Sequence, residues 1–190
     1  EIGSGLVGSE MCIRDRDTLA AMAFGKEPIL QRYMDEKPAK RTDDILTGYI
    51  RSAIGVSALF ITVGCIIILE NAFGITDFVM PDVCKDPELY KKTFMFAFFI
   101  YAVIFNSFNT RSERFHLLEH IHENKNFLLV MGMIFILQTV MIQIGGKVFH
   151  TTALSGRGLM VAMVMGLLII PVDMVRKAIR IWYKEKRGNA

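Results

Sequence analysis

Asp17 stands directly before the apolar octet Thr18–Gly25, at the edge of what reads as a helix. A carboxylate there is costly, and it offers the charge and hard oxygen that a cation such as calcium requires. Asp is also a good N-cap, and on spacing alone capping a helix that begins at Thr18 is the simpler reading. Asn106 and Asn109 lie three residues apart near the end of a second apolar stretch. They could lend amide oxygens to an ion path, or cap and hydrogen-bond between helices. His116-Leu117-Leu118-Glu119-His120 has the His-x-x-Glu-His spacing of some zinc peptidases, with two histidines one helical turn apart. No third ligand follows nearby. Phe115, Leu118, Ile121 and Phe127 form instead the apolar stripe of a helix lying on a membrane surface, which is the stronger reading.

The elements that would position these groups follow from how charge is distributed. Of 190 residues, 52% are apolar and 22% charged, with a net charge of +3, values that an ordinary globular chain could share. The charges, however, gather in residues 26–51, 82–92, 111–125 and 176–187. Glu70 is the only charge between Arg51 and Asp77, and none occurs between Lys92 and Arg111, Lys125 and Lys147, or Arg157 and Asp173. A bilayer core about 30 Å thick takes about 20 mostly apolar residues of helix. Residues 52–73, 93–108, 127–144 and 158–175 meet that need, which predicts an all-α, polytopic transmembrane helix bundle. A disordered chain, a collagen and an ordinary soluble enzyme are excluded. Residues 18–25 give roughly 12 Å of helix, too short to cross, and read as part of a further span.

Lysine and arginine in the loops set the orientation. The segments 25–51, 109–126 and 176–190 carry fifteen, against five on the other side (Lys85, Lys91, Lys92, Lys147 and Arg157). The expectation is a multi-pass protein with loop 25–51 and the C-terminal tail in the cytosol. The tail holds Trp182 and Tyr183 among basic residues, which suits an anionic lipid leaflet; the bilayer is the expected partner, and no nucleic acid is. Of Cys12, Cys65 and Cys84 only Cys84 would face outward, so no disulfide framework is expected. Gly55, Gly64, Gly132 and Gly166 suit close approach of helices, Gln138 and Gln143 suit interhelical hydrogen bonds, and Pro171 should kink the last span. Asp173, Arg176 and Lys177 read as an interfacial charge cluster.

Several landmarks in order carry a family resemblance. They are Asp17-Thr18-Leu19-Ala20-Ala21-Met22-Ala23-Phe24-Gly25, then Pro28, Glu36-Lys37-Pro38 and Arg41, then Phe105-Asn106-Ser107-Phe108-Asn109-Thr110-Arg111, and finally Gln143-Ile144-Gly145-Gly146-Lys147-Val148-Phe149. Together they resemble the C-terminal membrane region of P-type cation ATPases, most closely plasma-membrane-type calcium pumps of bacteria. Glu1–Arg16 shows no helical or strand period and resembles a translated sequencing-adapter artefact, so residues 1–16 are expected to be non-native and residues 17–190 to form the pump's C-terminal transmembrane domain.

The resemblance implies half of helix six followed by helices seven to ten, in a bacterial cell membrane. It implies that Asp17 is a ligand of the transported cation, with calcium the ion, and that Asn106 is a weak second candidate. The family places a ligand asparagine four residues before Asp17, where this chain has Ile13. Helix eight offers no acidic ligand in Ala102-Val103-Ile104, which favours a single ion site. ATP and Mg2+ would be used only by the intact pump, because this chain contains no Asp-Lys-Thr-Gly phosphorylation motif and no Gly-rich phosphate loop. The partner implied is the pump's own N-terminal part, with helices one to six and the cytosolic domains. The alternative is a stand-alone four-span membrane protein with a binding or scaffolding role.

Overall fold

The computed structural model describes residues 14, 18–19, 21–22, 25, 47–81, 86–111, 125–146 and 150–188. The described elements are α1 (Gly48–Leu69), a 3-10 turn (Ala72–Gly74), α2 (Ile75–Val79), α3 (Pro87–Arg111), α4 (Lys125–Ile144), α5 (Gly156–Leu167) and α6 (Ile169–Gly188). Among the described residues there is no strand. Among the described residues four helices are long and apolar enough to cross a membrane: Gly48–Leu69, Pro87–Thr110, Phe127–Ile144, and α5 with α6 as Gly156–Tyr183. The expected all-helical membrane bundle is what the chain forms.

Caps fix where the helices begin and end. The Thr47 hydroxyl accepts from the Ile50 amide at 3.4 Å and starts α1 ahead of its apolar run. At the other end Asn71 turns left-handed (φ 49°), and its amide oxygen accepts from the Thr76 amide at 2.9 Å while its Nδ2 donates to Asp77 at 2.7 Å. That turn closes α1 at Leu69, so apolar Ala72 and Phe73 leave the helix. Pro87 and the Asp86 side chain, which accepts from the Leu89 amide at 3.1 Å, start α3 before its apolar stretch. The last span breaks at Leu168, between α5 and α6. Pro171 brings no N–H to the Leu167 carbonyl four residues back, so the ladder fails where the kink was expected.

Helix α3 is the hub, packed against α1, α4, α5 and α6. Half of its apolar window is buried, against 17% for α1. Its Phe94, Ala97, Phe98, Tyr101, Ala102 and Ile104 are almost fully enclosed, while Ile54, Leu59, Val63 and Ile66 of α1 are exposed. An apolar surface turned outward is what a bundle surrounded by lipid presents, because lipid tails are as apolar as leucine. Two glycines allow the closest crossings. A Cβ on Gly166 would lie 2.8 Å from the Ala102 amide nitrogen, and one on Gly64 would lie 2.4 Å from the Phe98 ring. Gly55 and Gly132 have nothing within 4 Å, so the close approach expected at all four glycines occurs at two. Gly158 adds one that the sequence reading did not include, with Tyr90 Oη 2.6 Å from its would-be Cβ.

A polar staple closes one end of the bundle. Tyr90 Oη donates to the Val79 carbonyl at 2.9 Å and lies 2.9 Å from Ser155 Oγ. Ser155 in turn caps α5 by accepting from the Gly158 amide at 3.0 Å. Nearby, Thr93 Oγ1 accepts from the Thr152 amide at 3.1 Å and Gln143 donates to the Leu154 carbonyl at 3.0 Å. Gln143 therefore ties α4 to the segment that leads into α5.

Candidate functional site

Asp17 lies outside the described residues, as do His116, Glu119 and His120. Beside Asp17, Arg14 and Thr18 are helical, and the Thr18 hydroxyl donates to the Arg14 carbonyl at 2.9 Å. Of the residues singled out for an ion path, Asn106 and Asn109 are described, on the last turns of α3. Their three-residue spacing places both on the side of α3 that meets α1 and α6. Ser57 of α1 donates to Asn106 Oδ1 at 3.1 Å. Asn109 Nδ2 donates to the Ile169 carbonyl of α6 at 3.1 Å and reaches Asn106 Oδ1 at 3.5 Å. The two amides thus bridge three helices, and Asn106 Oδ1 is already engaged.

Next to them lies a charged cluster. Asp173, Arg176 and Lys177 share one face of α6 by their i, i+3, i+4 spacing. Arg176 Nε donates to Asp173 Oδ1 at 2.6 Å, and Lys177 Nζ is 3.0 Å from Asp173 Oδ2. Arg176 Nη1 also donates to Ser52 Oγ of α1 at 3.0 Å. Lys177 donates to the Asn109 main-chain carbonyl at 3.0 Å. The last carbonyls of a helix lack partners within it and carry its negative end, so a lysine there meets both needs. The cluster is buried, with Asp173 3%, Arg176 9% and Lys177 2% exposed. The sequence reading placed these residues in a charge cluster at the cytosolic membrane interface; the structure adds that they are packed between helices. Burying a charge is costly unless it is paired and hydrogen-bonded, and this cluster supplies both.

Tyr49 of α1 completes the arrangement. Its ring holds the Arg176 guanidinium 4.7 Å and the Arg180 guanidinium 4.8 Å from the centroid, two cation–π contacts on one ring. A cavity of about 250 Å³ opens here, lined among others by Tyr49, Ser57, Asn106, Asn109, Asp173 and Arg176. Asn109 Oδ1 is buried without a hydrogen-bond partner among the described residues. The cavity offers amide and hydroxyl oxygens, yet one carboxylate faces two cations. That balance repels a divalent cation. Among the described residues no group of three or more His, Cys, Asp or Glu could hold a metal ion. Tyr49, Ser52 and Ser57 were missed in the sequence because isolated hydroxyls in an apolar helix carry no periodic signal. The spacing of Asp173, Arg176 and Lys177 at the end of an apolar run signalled a charge cluster on one helix face, but not its burial.

Comparison with known proteins places this bundle. Residues 16–179 match the family model described as cation transporting ATPase, C-terminus. The plasma membrane-type calcium-transporting ATPase 9 of Arabidopsis thaliana is 28% identical over 165 residues, covering 86% of this chain and 15% of that protein. Calcium-transporting ATPase 2 of Cryptococcus neoformans is 26% identical over 158 residues, 82% of this chain and 11% of that protein. Calcium-transporting ATPase 2 of Schizosaccharomyces pombe is 25% identical over 158 residues, 82% of this chain and 12% of that protein. The chain therefore spans 11–15% of the length of these three relatives. With four helices fit to cross a membrane among the described residues and a family match over most of its length, the chain belongs to the cation-transporting ATPase C-terminus family, the C-terminal region of P-type cation ATPases.

Proposed function

We propose that this chain is the C-terminal membrane part of a calcium-translocating P-type ATPase that exports calcium from the cytosol at the expense of ATP. The observation that carries the ion is that the three relatives named above are calcium-transporting ATPases by name and match most of this chain. In this reading the bundle is the packing shell for the ion-binding helices, and the missing N-terminal part supplies the remaining spans, the ATP site and Mg2+. Asp17 donates a carboxylate to the transported cation. Asn106 is the weaker ligand candidate, since its Oδ1 already accepts from Ser57 and the charges beside it sum to positive. Loop 25–51 and the C-terminal tail face the cytosol, supported by the fifteen-to-five division of basic residues. The resemblance implies a bacterial cell membrane, and residues 1–16 are foreign to the pump.

Uptake of radiolabelled calcium into sealed vesicles tests this reading. Vesicles holding the intact protein should accumulate calcium only with ATP, and vesicles holding residues 17–190 alone should insert the chain but accumulate none. ATP-driven uptake by residues 17–190 alone would contradict it. No calcium uptake by an intact, phosphorylation-competent protein would sink the choice of ion.

A further inference from the structure

The chain leaves α1 by a strained route. Asn71, Phe73 and Gly74 all take left-handed backbone angles, with φ 49°, 66° and 64°. Glycine adopts such an angle freely, but a phenylalanine does so only where the surrounding structure holds it. The Phe73 ring is thereby turned out of the bundle, 90% exposed, the highest value of any large apolar side chain among the described residues. Phe78 on α2 is 63% exposed. These two rings continue the outward apolar row of Val63, Ile66 and Leu69 past the end of α1. The main chain of the turn, meanwhile, is satisfied from within. The Ile66 carbonyl accepts from the Glu70 amide at 2.9 Å, and the Ile68 carbonyl from the Asn71 amide at 3.1 Å and the Thr76 hydroxyl at 3.2 Å. The Leu69 carbonyl accepts from Lys91 Nζ at 3.2 Å. On α2 the Phe78 carbonyl accepts from Arg157 at 3.5 Å, and the Val79 carbonyl from the Tyr90 and Ser155 hydroxyls, each at 2.9 Å. The last carbonyls of a helix can be left to water, but lipid offers them no donor.

We infer that the turn from α1 into α2 is seated in the lipid surface, at the boundary between acyl chains and headgroups, with the Phe73 and Phe78 rings inserted among the chains. Length agrees: the 22 residues of α1 rise about 33 Å, so Leu69 reaches the edge of a hydrocarbon core about 30 Å thick and the turn falls at its boundary. The charges agree as well. The Arg157 guanidinium lies over the Phe78 ring, 5.5 Å from its centroid, and Lys91 reaches the end of α1. Long basic side chains keep their stems along apolar surface and their heads at the polar boundary. Lipid is the occupant because the rings prolong the outward apolar face of α1 without a break. The inference rests on the membrane reading of the bundle and is independent of which ion the intact protein moves.

Tryptophan fluorescence of the 190-residue chain in phosphatidylcholine nanodiscs, whose two faces are both open to solutes, tests the assignment. Trp182→Phe removes the chain's single tryptophan, and Phe73→Trp then places the reporter in the turn. Its emission should lie at shorter wavelength than that of tryptophan in water. Most of that emission should be lost when the phosphatidylcholine carries bromine on its upper acyl carbons, and aqueous iodide should change it little. Phe78→Trp in the same background should behave alike, and it decides the matter if the Phe73→Trp chain fails to fold by circular dichroism. Emission at the wavelength of tryptophan in water, quenched by iodide, overturns the inference, since the turn would then face solvent. A reporter that neither quencher reaches also overturns it, since protein would then cover the rings.

Discussion

Lys177 donates to the main-chain carbonyl of Asn109 at 3.0 Å and so ties α6 to the last turn of α3. The same ammonium is 3.0 Å from Asp173, and Asp173 holds Arg176, which reaches Ser52 on α1. One buried acid thus coordinates three helices through two bases. In lipid, where no water repairs a broken pair, this cluster is a strong constraint on how α6 lies against α1 and α3.

Removing the acid should therefore cost more than removing the cluster. Asp173→Leu leaves two buried cations and should destabilise the bundle by about 3–5 kcal/mol. Replacing Asp173, Arg176 and Lys177 together by leucine or methionine should cost clearly less. Thermal unfolding in detergent, followed by circular dichroism, measures both. A triple variant less stable than Asp173→Leu would contradict the reading.

Glycine substitutions should separate by crossing geometry. Gly166→Ala sets a Cβ against the α3 backbone at Ala102 and should cost about 1–3 kcal/mol, because backbone cannot swing aside. Gly132→Ala meets nothing within 4 Å and should be neutral or gain up to about 1 kcal/mol from helix propensity. Equal effects in an unfolding titration would refute the assigned crossing.

The staple at the other end should show coupling. Tyr90→Phe loses the hydroxyl that meets Val79 and Ser155 and should cost about 1–2 kcal/mol. Gly158→Ala drives a methyl toward that hydroxyl, so in the double variant part of the Gly158→Ala penalty should vanish. Strict additivity in the double-mutant cycle would mean the two residues do not touch.

Transport variants address the ligand assignment in the intact pump. Asp17→Asn keeps an oxygen but removes the charge, and should weaken the apparent calcium affinity of ATP-driven uptake by about tenfold or more. Asn106→Ala should alter that affinity far less, since Ser57 already occupies its oxygen. An Asn106→Ala defect as large as that of Asp17→Asn would move the ion path to α3.

The spans were legible because a bilayer demands long apolar runs, and charge-free stretches such as the one between Lys125 and Lys147 admit few other readings. Their ends were less so. The apolar run through Phe73 reads as helix, yet Asn71 turns left-handed and places Phe73 at φ 66° in the 3-10 turn, a choice made by the Asn71–Thr76–Asp77 hydrogen bonds. The break at Leu168, three residues before Pro171, was foreshadowed by the N–H that Pro171 lacks. The burial of Lys177 was not, because it depends on Asn109, 68 residues away in sequence, offering a carbonyl at the end of another helix. Tyr49 was equally hidden, since its role comes from the two arginines of α6 that share its ring.

The most direct test of the central claim is the nucleotide sequence of the locus upstream of the codon for Asp17, read in single long molecules. A truncated pump requires an open frame that carries an Asp-Lys-Thr-Gly motif and runs, through a helix with asparagine four residues before Asp17, into the sequence from Asp17 onward. An authentic start codon reading through residues 1–16, with no phosphorylation domain before it, would contradict the account and leave a stand-alone four-span membrane protein.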